Sequence, residues 1–548
     1  MIPLLAQTTT DVEPLAVQIP DVEWSLLAPF IILAVAGVLL VTVTSVVPSL
    51  RTGRFPAIYT GLTAVLALVS VRSIWSEVEG GTATKLVVAE ALGIDAFSVF
   101  ATGVICLVVF LVSFVLPNHM ANQASDGPEW YVLLLMSASG GILLVSAEDL
   151  IVTFLGLEIL SIALYLLASL NVRDANSLEA GFKYLILGAL SSAVFLYGIA
   201  LTYGATGSTS LRAIAATGGL AAVGDANPDT NSSMILVAMA LILVGFGFKV
   251  AAVPFHSWAP DVYQGAPSPV VAFMASAVKV AAFAGLIRVF WVAFGWYVQD
   301  WRPMIAGFAA LTLLVGSLLA IAQTNVKRML AYSSMIHAGF ILVGVFVAST
   351  PVSVRGAANE GQPLGIDVVG GKSVLFYMLS YSIAVIGTFA VVTLVGGKDD
   401  ANHELANYRG LARRAPVLAG LMSILLFSQA GVPFTAGFVA KFQTIFAAGA
   451  AEAYVLAAVA MLSAALAAVL YLRIVVSMFM AESEDPDPDS ESIYQPTRPN
   501  YAIMTGIVVA AGTTVLLGVW PSLVDDVVLE AAESMSRLLP VLVSDSRP

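Results

Sequence analysis

The chain has 548 residues, of which 59% are hydrophobic and only 11% are charged. A soluble domain usually carries about 25% charged residues, so the composition excludes an ordinary soluble protein. The mean hydropathy is +0.92, and apolar stretches of about 18 residues or more, each long enough to cross a bilayer, recur along the chain. The formal net charge of −12 comes mostly from loops and does not indicate nucleic-acid binding. The sequence therefore predicts a membrane protein with many spans.

The N-terminal segment and the rarity of metal-binding residue types exclude further classes. Residues 1–20 lack the basic region of a secretory signal, so we predict a short extracytoplasmic tail. The only cysteine, Cys106, lies in an apolar stretch, and the four histidines show no metal-ligand spacing. The sequence also lacks a phosphate-binding loop and a dinucleotide fingerprint. We therefore expect no cofactor in this chain, and the energy for transport must come from an ion gradient or from partner subunits.

The apolar segments predict an all-α polytopic membrane protein of about fourteen transmembrane helices. Tight turns join the fourth span to the fifth and the ninth to the tenth. Basic residues are more numerous in the inner loops if the N-terminus lies outside, which predicts that both termini lie outside. The predicted spans are residues 25–47, 56–74, 94–116, 130–147, 150–170, 180–204, 233–254, 268–292, 302–321, 328–348, 372–396, 415–446, 452–480 and 501–520.

A repeated tripeptide predicts two related units. Val253, Pro254 and Phe255 close the seventh span, and the same residue types interrupt the twelfth span at 432–434. Proline breaks a helix, and a broken helix survives in a membrane only where protein or water satisfies the freed backbone groups. Paired broken helices in two inverted five-helix repeats indicate a transport site at mid-membrane; the alternative is a coincidence of a tripeptide. The predicted parts are residues 1–129 (tail and helices 1–3), 130–292 (first repeat), 301–480 (second repeat) and 481–548 (an acidic loop at 482–491, helix 14 and the C-terminal tail).

Four ionisable residues lie well inside the predicted spans. Lys249, Lys279 and Lys441 stand in the seventh, eighth and twelfth spans, and Glu158 stands in the fifth. A charge at the centre of a spanning helix costs roughly 2.5–3.5 kcal/mol, so such residues need a reason to be there. Because burial disfavours the ammonium form, a lysine away from water can bind and release a proton near neutral pH, whereas arginine stays protonated. The sequence therefore predicts a proton relay.

A histidine extends this candidate set, and each candidate has an alternative. His337 lies several residues inside the tenth span, where a neutral imidazole could connect two lysines; alternatively it is a histidine bonded to a serine or a carbonyl. For the charged residues, the alternative is a buried ion pair between Glu158 and Lys249 that serves assembly, with Lys279 and Lys441 paired elsewhere.

Three further carboxylates are expected to have structural positions. Asp95 begins the third span, and Asp261 follows the seventh. We expect both to be caps or packing contacts. Glu148, in the turn before the fifth span, is expected at the surface; the alternative is a position at the mouth of a channel.

Two stretches resemble a known family. Residues 249–270 read KVAAVPFHSWAPDVYQGAPSPV, and residues 322–340 read AQTNVKRMLAYSSMIHAGF. Both resemble the antiporter-like membrane subunits of respiratory complex I, and the similarity extends over nearly the whole chain. Within that family, two details resemble the subunit N group. One is the DVYQGAP sequence that begins at Asp261, where subunits L and M have an acidic-Ala-His version. The other is Lys441, where subunit M has glutamate.

The resemblance implies a fold of fourteen helices with two inverted five-helix repeats. It matches Glu158 to the family's glutamate of the fifth helix, Lys249 to the lysine of the broken seventh helix, Lys279 to the central lysine and Lys441 to the distal lysine. It also implies that protons are pumped while NADH is oxidised and quinone is reduced in other subunits. Protons would then enter from the cytoplasm near Glu158 and Lys249, pass Lys279 and leave outside beyond Lys441.

The surroundings of the chain follow from the same resemblance. It implies the bacterial inner membrane, lipid, and neighbouring membrane-arm subunits of the A, J, K, L, M and H types. NADH, FMN, iron–sulfur clusters and quinone would bind in partner subunits, with no redox centre in this chain. A subunit of a multi-subunit cation/proton antiporter, which shares the lysine pattern, is the first alternative. A non-catalytic scaffold whose buried charges hold neighbouring subunits in register is the second.

Overall fold

The chain forms a bundle of apolar helices. In a bilayer no water is available to the backbone, so each spanning segment must satisfy its N–H and C=O groups internally, as a helix does. The N-terminal tail and the acidic stretch 482–491 lie outside the described residues. The computed structural model describes residues 22–80, 83–122, 127–222, 232–350, 365–397, 400–480 and 501–539.

The helices follow one another with short connections. Single turns of 3₁₀ helix lie at Pro48–Leu50, Gly295–Tyr297 and Leu405–Tyr408. The helices are α1 (Ala28–Val46), α2 (Phe55–Val78), α3 (Ala96–Asn122), α4 (Glu129–Val145), α5 (Leu150–Ser169), α6 (Ala175–Thr206), α7 (Leu211–Ala222), α8 (Ser232–Val250), α9 (Trp258–Gly265), α10 (Ser268–Ala275), α11 (Ala277–Val292), α12 (Val298–Ile321), α13 (Val326–Ala348), α14 (Ile366–Gly396), α15 (Leu411–Arg414), α16 (Pro416–Ala430), α17 (Ala436–Ala450), α18 (Tyr454–Phe479), α19 (Tyr501–Val519) and α20 (Ser522–Ser536).

The predicted helical membrane fold is confirmed. Within the described part, twelve helical segments are long and apolar enough to cross a membrane, and α4 and α16 are shorter apolar helices. Each predicted span coincides with one helix or with a pair of helices. The count of fourteen spans and the inversion of the two repeats stay predictions. One small sheet departs from the all-α expectation: β1 (Lys85–Val87) pairs antiparallel with β2 (Leu92–Ile94).

Three helices that bear the buried lysines are interrupted. The helix α8 ends at Val250, and the backbone N–H of Val253 donates instead to Thr312 Oγ1 of α12, at 2.9 Å. The helix α16 ends at Ala430, where Gly431 has a φ of 91°. The third interruption, at Ser276 between α10 and α11, corrects the prediction of one continuous helix over 268–292. The Ser276 hydroxyl donates to the backbone carbonyl of Ala272, a contact that competes with regular helix bonding.

A buried ion cluster holds one end of α11. The guanidinium of Arg288 donates to both carboxylate oxygens of Asp95 at 2.8 and 2.7 Å, to Glu148 at 2.6 Å and to the carbonyl of Val145 at 2.9 Å. The three charged side chains are at most 2% exposed. The prediction of Glu148 at the surface was therefore wrong, because Arg288 and the half-exposed Arg212 compensate its burial. Asp95 acts as the predicted cap, since it accepts from the backbone N–H of Ser98.

A second buried ion cluster holds the start of α10. Asp400 accepts from the backbone N–H and the hydroxyl of Ser268, and it pairs with Lys327 and His403. Burial acts to raise the pKa of the Asp400 carboxyl, but the neighbouring charges of Lys327 and His403 outweigh burial and lower that pKa below its usual value. The helices α10 and α11, which surround Lys279, are therefore fixed by ion pairs at both ends.

Burial differs sharply between the helices. The segment formed by α10 and α11 is completely buried, and α13 and α14 are almost completely buried. In contrast, α5 and α6 expose one apolar face with residues such as Leu155, Ile162, Phe182 and Leu190. A bundle with apolar residues on both its inner and outer faces is typical of a membrane protein.

The Arg288 cluster predicts a large difference between two arginine variants. Arg288→Met leaves two buried carboxylates without their main partner and should cost about 3–5 kcal/mol of stability. Arg212→Met removes a half-exposed ion pair and should cost less than about 1 kcal/mol. Thermal unfolding of the solubilised protein checks both variants. Equal changes in melting temperature would contradict the structural weight given to Arg288.

Candidate functional site

Lys249 lies in the last turn of α8, inside an aromatic cage. Its Nζ atom is 5.5 Å from the ring centre of Tyr165 and 5.3 Å from that of Tyr184. Trp258 of α9 stacks on Tyr184, with ring centres 4.6 Å apart. An aromatic face attracts a cation and partly replaces water around it. The cage can therefore hold an ammonium group in an otherwise apolar environment.

Glu158 lies on α5, on the side where α5 and α6 meet. It accepts a short hydrogen bond from the Ser192 hydroxyl of α6. A gap between α5, α6 and α8 is lined by Ser192, Tyr165 and Lys249. Glu158 and Lys249, both in the described part of the chain, form no ion pair within 4 Å, and Ser192 both bonds Glu158 and lines the gap that Lys249 faces. The two groups are neighbours without being locked together.

Lys279 lies on α11, three residues after the interruption at Ser276. Its Nζ atom donates a short hydrogen bond to the backbone carbonyl of Ser334 on α13. The ring of Tyr381 lies 6.0 Å from the same nitrogen. The Ser334 hydroxyl also lies 3.3 Å from the Tyr263 hydroxyl of α9. The short helix α9 thus contacts the surroundings of both Lys249, through Trp258, and Lys279, through Tyr263.

Lys441 lies on α17 and is held by the end of the broken helix α16. Its Nζ atom donates to the carbonyl oxygen of Ala430 at 3.0 Å, and the Phe340 ring lies 5.2 Å away. The last carbonyls of a helix have no partner within the helix and carry the negative end of its dipole. The interruption therefore supplies a favourable position for an ammonium group.

The helix α13 connects the positions of Lys279 and Lys441. Ser334, His337 and Phe340 are spaced by three residues, so each neighbours the next on the helix surface and the three span an arc of about 120°. Lys279 contacts the first of them and Lys441 the last. Six residues of helix correspond to roughly 9 Å. The charges of both lysines reach His337, which lies between them.

His337 is held by tyrosines rather than by a serine or a carbonyl. Its Nδ1 atom lies 2.8 Å from the hydroxyl of Tyr377, and its Nε2 atom lies 3.0 Å from that of Tyr471. Both partners are hydroxyl groups that can donate or accept a hydrogen bond. The imidazole can therefore adopt either neutral tautomer without losing a partner.

The structure places the five predicted residues in two groups. Glu158 and Lys249 form one group, and Lys279, His337 and Lys441 follow α13. The tyrosines around them were missed by sequence analysis. A tyrosine in an apolar span was the available signal, but its partner lies on another helix and cannot be read from the sequence. Among the described residues, no cluster of three or more His, Cys, Asp or Glu side chains is arranged to hold a metal ion.

Comparisons with known proteins define the family. Residues 147–359 and 364–467 match the transmembrane family described as NADH:quinone oxidoreductase/Mrp antiporter. The NADH-quinone oxidoreductase subunit N of Parafrankia sp. strain EAN1pec is 38% identical over 544 residues, which cover 94% of this chain and 96% of that protein. The chain therefore belongs to the subunit N family of NADH-quinone oxidoreductases.

Solved structures agree with this assignment. A chain of respiratory complex I from Thermus thermophilus with bound aureothin is 32% identical, with a TM-score of 0.71 over 91% of this chain and 98% of that chain. A chain of the Mrp complex from Dietzia sp. DQ12-45-1b has a TM-score of 0.76 over 94% of this chain and 98% of that chain, but it is 21% identical. The second likeness shows a shared fold alone.

Alanine substitutions at two glycines, one within α16 and one at its end beside Lys441, should have opposite effects on stability. Gly431 has a φ of 91°, and a Cβ atom there would lie 3.0 Å from Cδ of Lys441. Gly431→Ala should therefore lower the free energy of unfolding by about 1–2 kcal/mol, through backbone strain and displacement of the lysine. Gly420→Ala meets no atom within 4 Å and should be neutral or stabilising by up to about 1 kcal/mol. Thermal unfolding of the two variants checks this, and a Gly431→Ala protein as stable as wild type would be evidence against it.

Proposed function

We propose that this chain translocates protons as a membrane-arm subunit of a bacterial NADH-quinone oxidoreductase, through Glu158, Lys249, Lys279, His337 and Lys441. The arrangement along α13 is the observation that carries the proposal. Two buried amines contact one helix at positions six residues apart, and His337 lies between these positions. Such a row costs stability and is explained by proton transfer.

The relay needs amines that can change their protonation state. Each lysine has a neutral partner (an aromatic cage or a backbone carbonyl) and not a carboxylate within 4 Å in the described part of the chain. A carbonyl or an aromatic ring stabilises the ammonium form less than a carboxylate does, so the proton can leave. Glu158 bonds Ser192 and forms no ion pair with Lys249 in the described part of the chain. This favours a switch at that end over a fixed ion pair.

The direction and the surroundings of the relay follow from the family. Protons would enter from the cytoplasm near Glu158 and Lys249, pass Lys279 and His337, and leave outside beyond Lys441. NADH, FMN, iron–sulfur clusters and quinone would be held by partner subunits, next to membrane-arm subunits of the A, J, K, L, M and H types. The chain would lie in the inner membrane with both termini outside. Residues 130–292 and 301–480 would form its two inverted repeats.

Substitution of Lys279 tests the relay. In the assembled complex, Lys279→Met removes the exchangeable proton, and Lys279→Arg keeps a charge that does not release it. Both variants should slow the formation of the pH gradient by about tenfold or more. Inverted vesicles supplied with NADH and quinone report gradient formation, and native electrophoresis reports assembly. Lys85→Met, which removes a partly exposed pair with Glu77, is the matched control and should pump normally.

The outcomes separate the proposal from its two alternatives. Normal assembly with slow gradient formation supports the relay. Normal pumping by Lys279→Met would rule the relay out, and lost assembly with normal pumping per assembled complex would favour a scaffold. If the purified chain came with cation/proton antiporter subunits and without flavin and iron–sulfur subunits, the antiporter would be favoured.

A further inference from the structure

A chain of hydrogen bonds leads away from His337 on the side of Tyr471. The Tyr471 hydroxyl lies 3.0 Å from His337 Nε2 and 2.5 Å from the Ser333 hydroxyl. Ser333 in turn makes a long hydrogen bond of 3.5 Å to the side-chain oxygen of Gln429 on α16. All four side chains are at most 3% exposed. This series of hydrogen bonds runs from α13 to α18, back to α13 and then to α16.

Gln429 is fixed at the end of α16. Its amide nitrogen donates to the Thr388 hydroxyl of α14 at 2.6 Å. The next residue, Ala430, supplies the carbonyl that holds Lys441. A hydrogen bond made or lost at the side-chain oxygen of Gln429 therefore acts one residue from the acceptor of Lys441. His337 and Lys441 are thus joined by a second route besides α13.

The direction of these hydrogen bonds depends on the tautomer of His337. A neutral imidazole has one N–H and one bare nitrogen. With the hydrogen on Nε2, His337 donates to Tyr471, Tyr471 donates to Ser333, and Ser333 is free to donate to Gln429. With the hydrogen on Nδ1, His337 donates to Tyr377 instead. Tyr471 then donates to His337, and Ser333 must donate to Tyr471, so its bond to Gln429 is lost.

A proton that passes through His337 changes the tautomer. In the proposed relay, the ammonium of Lys279 gives up one proton and the amine of Lys441 takes one, while the Tyr377 and Tyr471 hydroxyls pass protons to one nitrogen of His337 and away from the other. The net charge of the imidazole returns to zero, but its N–H has moved to the opposite side. The hydroxyl groups of Tyr471 and Ser333 then reverse, since each carries a single hydrogen. The passage of one proton therefore makes or breaks the hydrogen bond between Ser333 and Gln429.

We propose that Tyr471 is a positioning residue that couples the tautomer of His337 to the end of α16, where Lys441 is held. Proton transfer at His337 thereby makes or breaks the hydrogen bond at Gln429, next to the Ala430 carbonyl that accepts from Lys441, before the next proton arrives. This inference rests on the proposed proton relay. It adds a residue that carries no charge and that forms no hydrogen bond to a lysine among the described residues.

Removal of the Tyr471 hydroxyl tests the proposal in the assembled complex. Tyr471→Phe keeps the ring and its packing but breaks the hydrogen-bond chain. Ser333→Ala breaks the chain one step further on. Lys279→Met sets the scale, because it lowers the ratio of protons pumped to electrons transferred. Each of the two variants should lower the same ratio by at least about half as much, since one of the connecting hydrogen bonds is missing. The double variant should be no worse than either single variant, because both remove the same connection.

A tyrosine that takes no part in this series of hydrogen bonds provides the control. Tyr408 is fully buried, and its hydroxyl has no hydrogen-bond partner among the described residues. Tyr408→Phe should keep the wild-type ratio. A structural defect would lower the amount of complex and leave the ratio of protons to electrons unchanged, so this ratio separates coupling from folding.

The results also separate this inference from the relay. A wild-type ratio in Tyr471→Phe or in Ser333→Ala overturns the coupling role. A lower ratio in Lys279→Met beside a wild-type ratio in Tyr471→Phe leaves the relay standing and removes only the coupling. A wild-type ratio in Lys279→Met overturns both.

Discussion

A buried ammonium group needs a substitute for water, and this chain supplies it with aromatic rings and backbone carbonyls close to helix interruptions. Lys441 binds the freed carbonyl at the end of α16, and Lys249 lies where α8 gives way to the loop before α9. Lys279 follows the interruption at Ser276 and binds a carbonyl of α13. Uncharged partners hold each amine without fixing its protonation state. Each buried lysine thus lies close to a helix interruption, and the interruption itself supplies the acceptor for Lys441.

Buried ion clusters lie at both ends of the segment formed by α10 and α11, which contains Lys279. Arg288 with Asp95 and Glu148 at one end, and Asp400 with Lys327 at the other, are ion pairs with carboxylates in close contact. Their geometry is that of fixed structural pairs, since breaking a buried pair is costly. The three lysines of the proposed relay have no carboxylate within 4 Å in the described part of the chain. One chain thus uses charge in two ways, and the presence of a carboxylate within hydrogen-bond distance distinguishes them.

The sequence revealed the features that depend on a single segment. A lysine among apolar residues and a proline in an apolar span are visible without any knowledge of the neighbours, so the four charged positions and the interruptions near Pro254 and Pro433 could be predicted. The interruption at Ser276 has no proline and depends on packing. Arg288 lies near the end of its span, where snorkelling is an equally good explanation. Its partner Asp95 is 193 residues away in the sequence, a distance over which pairing cannot be inferred without the fold.

The contact between Val253 and Thr312 has a consequence for biosynthesis. The first broken helix is complete only when α12 is present, because Thr312 satisfies the backbone N–H that the interruption frees. The acceptor of Lys279, the Ser334 carbonyl, is synthesised 55 residues after Lys279. In contrast, the acceptor of Lys441 lies 11 residues earlier in the chain. During synthesis, the Val253 N–H and the Lys279 amine are therefore made well before their partners and must be sheltered until then, whereas the acceptor of Lys441 already exists when Lys441 is made.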